Sequence, residues 1–276
     1  MKILVTGASG FIGQNICHNL EKKHIVYKVF RNKKLFFGEN NFEVDLTDNK
    51  SIFQSGLFKL NVDLIIHCAG IISSSNFGQN FKLFYDNIKI TENIIDISKK
   101  LNSPKIINLS TIGVYPNETG VYNELSLIKP SANSECLYSL SKFCSEELLN
   151  FLLKETEVIN LRLAQTYGTN MRSDRIYSEF LKELTDYNQI TVWGNGERVS
   201  NFISIEYLIE IIIQIINKNL PPGTYNLGNK NINYYELAQL IISIYGNNSS
   251  KIITIEKGIK SKVFIESHKL FKNLHS

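Results

Sequence analysis

Ile3-Leu4-Val5-Thr6-Gly7-Ala8-Ser9-Gly10-Phe11-Ile12-Gly13 decides the fold. Ile3–Thr6 is a short, largely β-branched run. Glycines follow at 7, 10 and 13, and from Phe11 to Lys22 apolar residues recur at spacings of three and four. The pattern reads as a buried strand, a tight turn and an amphipathic helix. Lacking Cβ atoms, the turn lets its backbone approach a ligand closely. The helix N-terminus adds free N–H groups and the positive end of the helix dipole, which together suit a pyrophosphate. A tight turn with no ligand would also use glycine. The position between the first strand and a helix favours the phosphate-binding reading.

Outward from this unit, apolar runs at Ile25–Phe30, Asp63–His67, Lys105–Leu109 and Val158–Leu161 read as further strands, alternating with helical stretches at Phe81–Lys99 and Glu135–Glu155. Strand and helix in turn predict an α/β fold, a Rossmann-type doubly wound parallel sheet with helices on both faces. After Leu161 the alternation breaks down. A loop (Tyr167–Asp174), a helix (Arg175–Tyr187), a turn (Trp193–Gly196) and helices at Ile205–Asn217 and Asn233–Tyr245 read as a smaller C-terminal substrate-binding lobe. The expected division is 1–165 for the dinucleotide-binding domain and 166–276 for the lobe, with some of the latter's elements returning to the main domain.

Lys and Arg number 30 against 26 Asp and Glu, a net charge of +4. That is too weak and too dispersed for a nucleic-acid partner. The longest apolar stretch, Leu208–Ile216, is interrupted by Glu210 and Gln214, so no membrane span is expected. Cys17, Cys68, Cys136 and Cys144 show no CxxC spacing and read as reduced structural thiols. A cytoplasmic location is expected, no metal site is expected, and a homodimer is left open.

At the end of the second strand, where dinucleotide-binding folds commonly carry a carboxylate for the ribose 2′-hydroxyl, the sequence reads Phe30-Arg31-Asn32-Lys33-Lys34. A guanidinium there can hold a 2′-phosphate with two parallel hydrogen bonds, which favours NADP and leaves NAD as the alternative; the stretch also reads as a solvated basic turn. Asp45 could face the adenine edge. Tyr138 and Lys142 lie at i and i+4 on one helix face. With an oxidised nicotinamide, the ammonium is expected to pull the phenol down from its usual value near 10. Ser110-Thr111 closes a strand where open α/β sheets place ligands, and reads equally as a turn or cap. Asn87, mid-helix despite poor helix propensity, could bridge the lysine to water or serve structure alone.

Taken in order, these stretches resemble the extended short-chain dehydrogenase/reductase family of nucleotide-sugar epimerases, dehydratases and 4-ketoreductases. The matching residues are Gly7–Gly13, Asp45-Leu46-Thr47-Asp48, His67-Cys68-Ala69-Gly70, Asn87, Ser110–Tyr115, Tyr138xxxLys142, Arg162, Tyr167-Gly168, Gly194-Asn195-Gly196, Asn201-Phe202-Ile203 and Gly223–Gly228. The resemblance implies that Thr111, Tyr138 and Lys142 form the active triad with Asn87 in support. It implies a cofactor site of Gly7, Ser9, Gly10, Phe11, Ile12, Gly13, Arg31, Asp45, Leu46, Ala69, Gly70 and Lys142, and a nucleotide-sugar substrate held by the second lobe.

The departures narrow the chemistry. Dehydratases of this group carry an Asp-Glu pair directly after the active hydroxyl, where this chain has Ile112 and Gly113. The 3,5-epimerase/reductases carry a cysteine at the second of these places. Ketone reduction or 4-epimerisation remains, and Arg31 favours a reductase that recharges from NADPH over an epimerase that retains NAD. In the substrate lobe, Gln165 stands where the family usually has Asn, Ser200 where it has a diphosphate-gripping Arg, and Arg198 lies two residues earlier, on the same face of an extended segment. A non-catalytic cofactor-binding or assembly protein on the same fold is the reading from another class, and the intact triad argues against it.

Overall fold

The computed structural model describes residues 1–31, 38–72, 80–133 and 135–275. Strands β1 (Lys2–Thr6), β2 (Ile25–Phe30), β3 (Asn41–Glu43), β4 (Leu64–His67), β5 (Lys105–Thr111), β7 (Glu157–Leu163) and β11 (Gly223–Leu227) form one seven-stranded sheet in the order β11-β7-β5-β4-β1-β2-β3. Every pairing in it is parallel. Parallel strands need crossovers, and α1 (Phe11–Leu20), α2 (Asn49–Gln54), α3 (Phe81–Lys100) and α4 (Cys136–Leu152) lie on them.

Both faces of the sheet are covered, and the period-two geometry of a strand shows how. Ile3, Val5, Leu64, Ile66, Ile107, Leu109, Ile159 and Leu161 point to one face, where they pack with α1, α6 (Ile205–Lys218) and α8 (His268–His275). The intervening Leu4, Ile65, Ile106 and Val158 point to the other, against Ile90, Ile94 and Ile97 of α3 and Leu149 of α4. Burying each such side chain stabilises by about 1.5–3 kcal/mol, so both faces are held as cores.

The remaining strands are β6 (Gly120–Tyr122), β8 (Gln165–Tyr167), β9 (Gln189–Trp193), β10 (Val199–Ser204), β12 (Lys230–Asn233), β13 (Lys251–Ile255) and β14 (Val263–Ile265). They form three small sheets, β12-β10-β8, β13-β9 and β14-β6. A separate apolar cluster joins α5 (Ile176–Tyr187) and α7 (Tyr234–Tyr245) to β9 and β10. From the C-terminal part of the chain, β11 joins the edge of the main sheet beside β7, and α6 and α8 join its core.

Several boundaries differ from the sequence reading. The fifth strand runs through Ser110 to Thr111 rather than stopping at Leu109, paired with Arg162 and Leu163 of β7. The first helix ends at Leu20, short of Lys22, and α4 covers Cys136–Leu152 rather than Glu135–Glu155. The strand order reverses between β1 and β4, and at such a switch point the loops diverge and leave a crevice. Among the described residues no helix is long and apolar enough to cross a membrane.

Candidate active site

The crevice opens above the turn after β1. Gly7 has φ +66°, in the left-handed region, and a Cβ there would lie 2.7 Å from Ala69 N. A Cβ on Gly13 would lie 2.2 Å from Gly7 O. Only a chain without side chains at both places lets the turn close this tightly. α1 begins at Phe11 after the N-cap Gly10, with no side-chain cap, so among the described residues its first N–H groups are left without a side-chain acceptor. Ser9, Phe11 and Ile12 line the rim half-buried, and Gln14 Nε2 donates to Ser9 O at 2.9 Å. This cradle fits the pyrophosphate of a dinucleotide.

Arg31 stands exposed directly after β2. Lys33 and Lys34 lie outside the described residues. Asp45 Oδ1 accepts from Thr47 N at 2.9 Å and Thr47 Oγ1 at 2.7 Å. Burial opposes the charge on Asp45, but these bonds and the nearby Arg31 and Lys82 cations hold its pKa below the usual carboxylate value. Leu46 is buried, and its carbonyl accepts from Asn93 Nδ2 at 2.8 Å.

Asn87, Ala69, Gly70 and Lys142 come together where α3 and α4 pack over the end of β4. Asn87 is 5% exposed and brackets the chain after β4: its Oδ1 accepts from Ile71 N at 2.7 Å, and its Nδ2 donates to Ile71 O at 2.9 Å and to Ser141 Oγ at 3.1 Å. One turn along, Thr91 meets Ser145 at 3.1 Å, so two four-residue steps tie the helices. Asn87 thus shapes the loop carrying Gly70, and its hydrogen bonds go to Ile71 and Ser141 rather than to the lysine. A Cβ on Gly70 would lie 3.3 Å from Lys142 Nζ. A small space of about 10 Å³ beside Lys142 is lined by His67, Asn87, Thr91 and Ser145, among others, about the room one water needs.

Lys142 is 5% exposed, and its Nζ donates to Leu109 O at 2.8 Å. Burial brings it down to about 8, against a partial lift from Cys68 and Glu146. Tyr138 departs from expectation. Burial and then Glu135 push its phenol up to about 12, with Arg175 and Arg172 opposing. The ammonium alone does not draw it down, because Lys142 Nζ is directed to the β5 carbonyl. Thr111 ends β5 and caps the short helical turn Ile112–Val114, its Oγ1 accepting from Gly113 N at 3.0 Å.

On the substrate side, Gln165 lies half-buried on β8, level with Phe202 of β10. Arg198, just before β10, lays its guanidinium 5.2 Å from the centre of the Tyr234 ring, and its buried Nε has no acceptor among the described residues. Ser200 also reaches Tyr234, Oγ to Oη at 3.5 Å, so both side chains address one ring, as an extended segment requires. Arg175 Nη1 pairs with Glu135 Oε1 at 3.0 Å, next to the start of α4. Among the described residues no three His, Cys, Asp or Glu side chains cluster to hold a metal ion.

Sequence reasoning missed the buried ion pair behind these residues. Glu146 of α4, 0% exposed, accepts from Arg162 of β7 at 2.7 Å (Nη2) and 3.1 Å (Nε), and also from Ser110 Oγ. Arg162 Nη1 donates to Tyr115 Oη at 2.9 Å, which donates to Asn226 Oδ1 of β11 at 2.8 Å. The two charged residues are sixteen positions apart on different elements, beyond any local pattern. The available signal was Arg162, a charged residue between Leu161 and Leu163 in a mainly apolar strand.

The doubly wound sheet with a glycine turn under its first helix defines a Rossmann-type fold. The chain belongs to the NAD dependent epimerase/dehydratase family, whose model matches residues 3–228. Among relatives, it is 29% identical over 249 residues to the GDP-6-deoxy-D-talose 4-dehydrogenase of Aggregatibacter actinomycetemcomitans, covering 88% of this chain and 80% of that one. It is 25% identical over 273 residues to an uncharacterized UDP-glucose epimerase of Bacillus subtilis, covering 91% and 84%. Among solved structures, the UDP-N-acetylglucosamine 4-epimerase from Bacillus cereus superimposes with a TM-score of 0.83 at 25% identity, covering 100% of this chain and 90% of that chain.

Proposed function

We propose that the protein is an NADPH-dependent reductase of a nucleotide-linked 4-keto sugar, with Thr111, Tyr138 and Lys142 as its working groups and Asn87 as their support. The observation that carries the reading is Arg31 at the end of β2, with no carboxylate in the ribose-binding position. A 2′-phosphate there gains a charge-assisted partner, and cofactor that is exchanged rather than retained serves net reduction.

The chemistry drawn from NADPH is a hydride delivered to the ketone carbon. Tyr138 Oη gives its proton to the oxygen that becomes the alcohol, Thr111 hydrogen-bonds the same oxygen, and Lys142 holds the cofactor ribose. The balance is one ketone, one NADPH and one proton to one alcohol and one NADP⁺. Burial pushes the Tyr138 phenol up to about 12, so it carries its proton at neutral pH and can donate it to the oxygen that becomes the alcohol.

Gly113 supports the restriction to hydride and proton transfer. A Cβ there would lie 2.7 Å from Ser139 Oγ and 3.3 Å from Thr111 Oγ1. A further acid, base or thiol at that place would have to displace the Ser139 hydroxyl. The second reading, a nucleotide-sugar 4-epimerase, is favoured by the likeness to the Bacillus cereus 4-epimerase.

The test is to incubate the protein with NADPH and a panel of 4-keto nucleotide sugars and follow loss of reduced-nicotinamide absorbance. One NADPH consumed per ketone is expected. Interconversion of 4-epimers with no net cofactor use would assign the epimerase instead.

NADPH is expected to bind more tightly than NADH, and Arg31→Ala to narrow the difference about tenfold, the low end for a charge-assisted contact because Arg31 is exposed. Titrating both cofactors into both proteins decides it; equal affinities in wild type would remove the NADP assignment. Arg198→Ala is expected to raise KM for the nucleotide sugar about tenfold with kcat and cofactor affinity unchanged, the mark of lost uniform binding. The unpartnered Nε supports this anchoring role, since a diphosphate would supply its acceptor. An unaltered KM would leave Arg198 as packing on Tyr234.

A further inference from the structure

Lys142 sits where an ammonium is costly. It is 5% exposed, and among the described residues its hydrogen bond is to the neutral carbonyl of Leu109. The groups that face it can be taken element by element. From β4, His67 is itself buried, bonded to Thr6 Oγ1 at 2.8 Å, and neutral, its pKa pushed down to about 3 by burial and by Lys142. After β4, Cys68 keeps its proton, because burial pushes its thiol far up. α3 presents the uncharged Asn87 and Thr91. On α4, one turn beyond Lys142, stands Glu146, and among the described residues it is the anion acting on that ammonium at neutral pH.

Glu146 is also immobilised. Arg162 and Ser110 hold both of its oxygens, and Arg162 is in turn held by Tyr115 and, through it, by Asn226. Ser110 directly precedes Thr111, and Leu109 is the residue that Lys142 grips. Two consecutive residues at the end of β5 are therefore fastened to α4 by side chains one helical turn apart.

We infer that Glu146 is a positioning residue for the Tyr138/Lys142 pair: its carboxylate fixes α4 against the end of β5 and supplies the countercharge that lets Lys142 stay an ammonium in a buried seat. This deepens the role given to Lys142 under the proposed function and rests on it. Removing the charge leaves burial unopposed, so the lysine loses its proton at lower pH.

The experiment follows Lys142 without turnover. In protein carrying ¹³Cε-labelled lysine, the Lys142 resonance, identified by its absence in Lys142→Met, is titrated in wild type and in Glu146→Gln. Wild type is expected to titrate near 8 and the variant at a measurably lower pH, because the anion that raises the lysine has been removed. The alkaline limb of kcat should move by the same amount, which a merely structural residue would not cause. Should the single variant fail to fold, Glu146→Gln/Arg162→Met removes both charges and leaves neither buried alone. An unchanged Lys142 titration in either folded variant overturns the inference. A shifted titration in a protein that reduces no 4-keto sugar would overturn the proposed reaction and leave the inference standing.

Discussion

Tyr138→Phe is expected to lower kcat by about 10² to 10⁴-fold, the usual contribution of a positioned general acid, with cofactor affinity little changed. Phe keeps the half-buried ring and its packing, so the loss reports the hydroxyl. Thr111→Val should cost less. Its Oγ1 accepts from Gly113 N, leaving the O–H to donate to substrate, and Tyr138 still supplies the other donor to that oxygen. Steady-state kinetics of both variants beside cofactor titrations check this. Full activity in Tyr138→Phe would reduce the Tyr138/Lys142 pair to a helix surface, and the enzyme reading would go with it.

Gly13→Ala is expected to abolish measurable cofactor binding and to lower stability by about 1–3 kcal/mol, as overpacking of a tight site does. The new Cβ would lie 2.2 Å from Gly7 O, and the obstacle is backbone. The turn must open, which moves Gly7 off Ala69 and tips the first N–H groups of α1. Gly10→Ala is the control for stability, its Cβ at 3.3 Å from the same oxygen, and should keep most of it. Denaturant melts and cofactor titrations of the two variants separate the cases. Wild-type affinity in Gly13→Ala would mean that the pyrophosphate is held elsewhere.

The central strands were legible because both of their faces are apolar, so Ile3–Val5 or Ile106–Ile107 needs no knowledge of neighbours to be placed inside. β3, three residues, and α2, six, are too short to show a period. β11 was hidden differently: Pro221-Pro222-Gly223 reads as a turn and Asn226 interrupts the apolar run, yet Asn226 is fully buried and held by Tyr115, Glu124 and Glu266. Ser110 and Thr111 disguised the end of β5 in the same way. At the site, residue types and spacing exposed Tyr138, Lys142 and the glycines. The direction of the Tyr138 titration was not legible, since burial is a property of packing. Glu146 became visible only once β7 was laid beside β5.

The crowding between Gly113 and Ser139 bears on how such sites diverge. Ser139 Oγ is buried and has no hydrogen-bond partner among the described residues, and it occupies the space that a larger residue at 113 would need. A substitution at 113 alone meets that hydroxyl, whereas a smaller residue at 139 removes the obstacle without breaking a hydrogen bond, so a lineage leaving this reaction type is eased by changing 139 first. Saturation mutagenesis at 113 should therefore recover few functional variants in this background and more in Ser139→Gly, a sign of epistasis written into two neighbouring atoms.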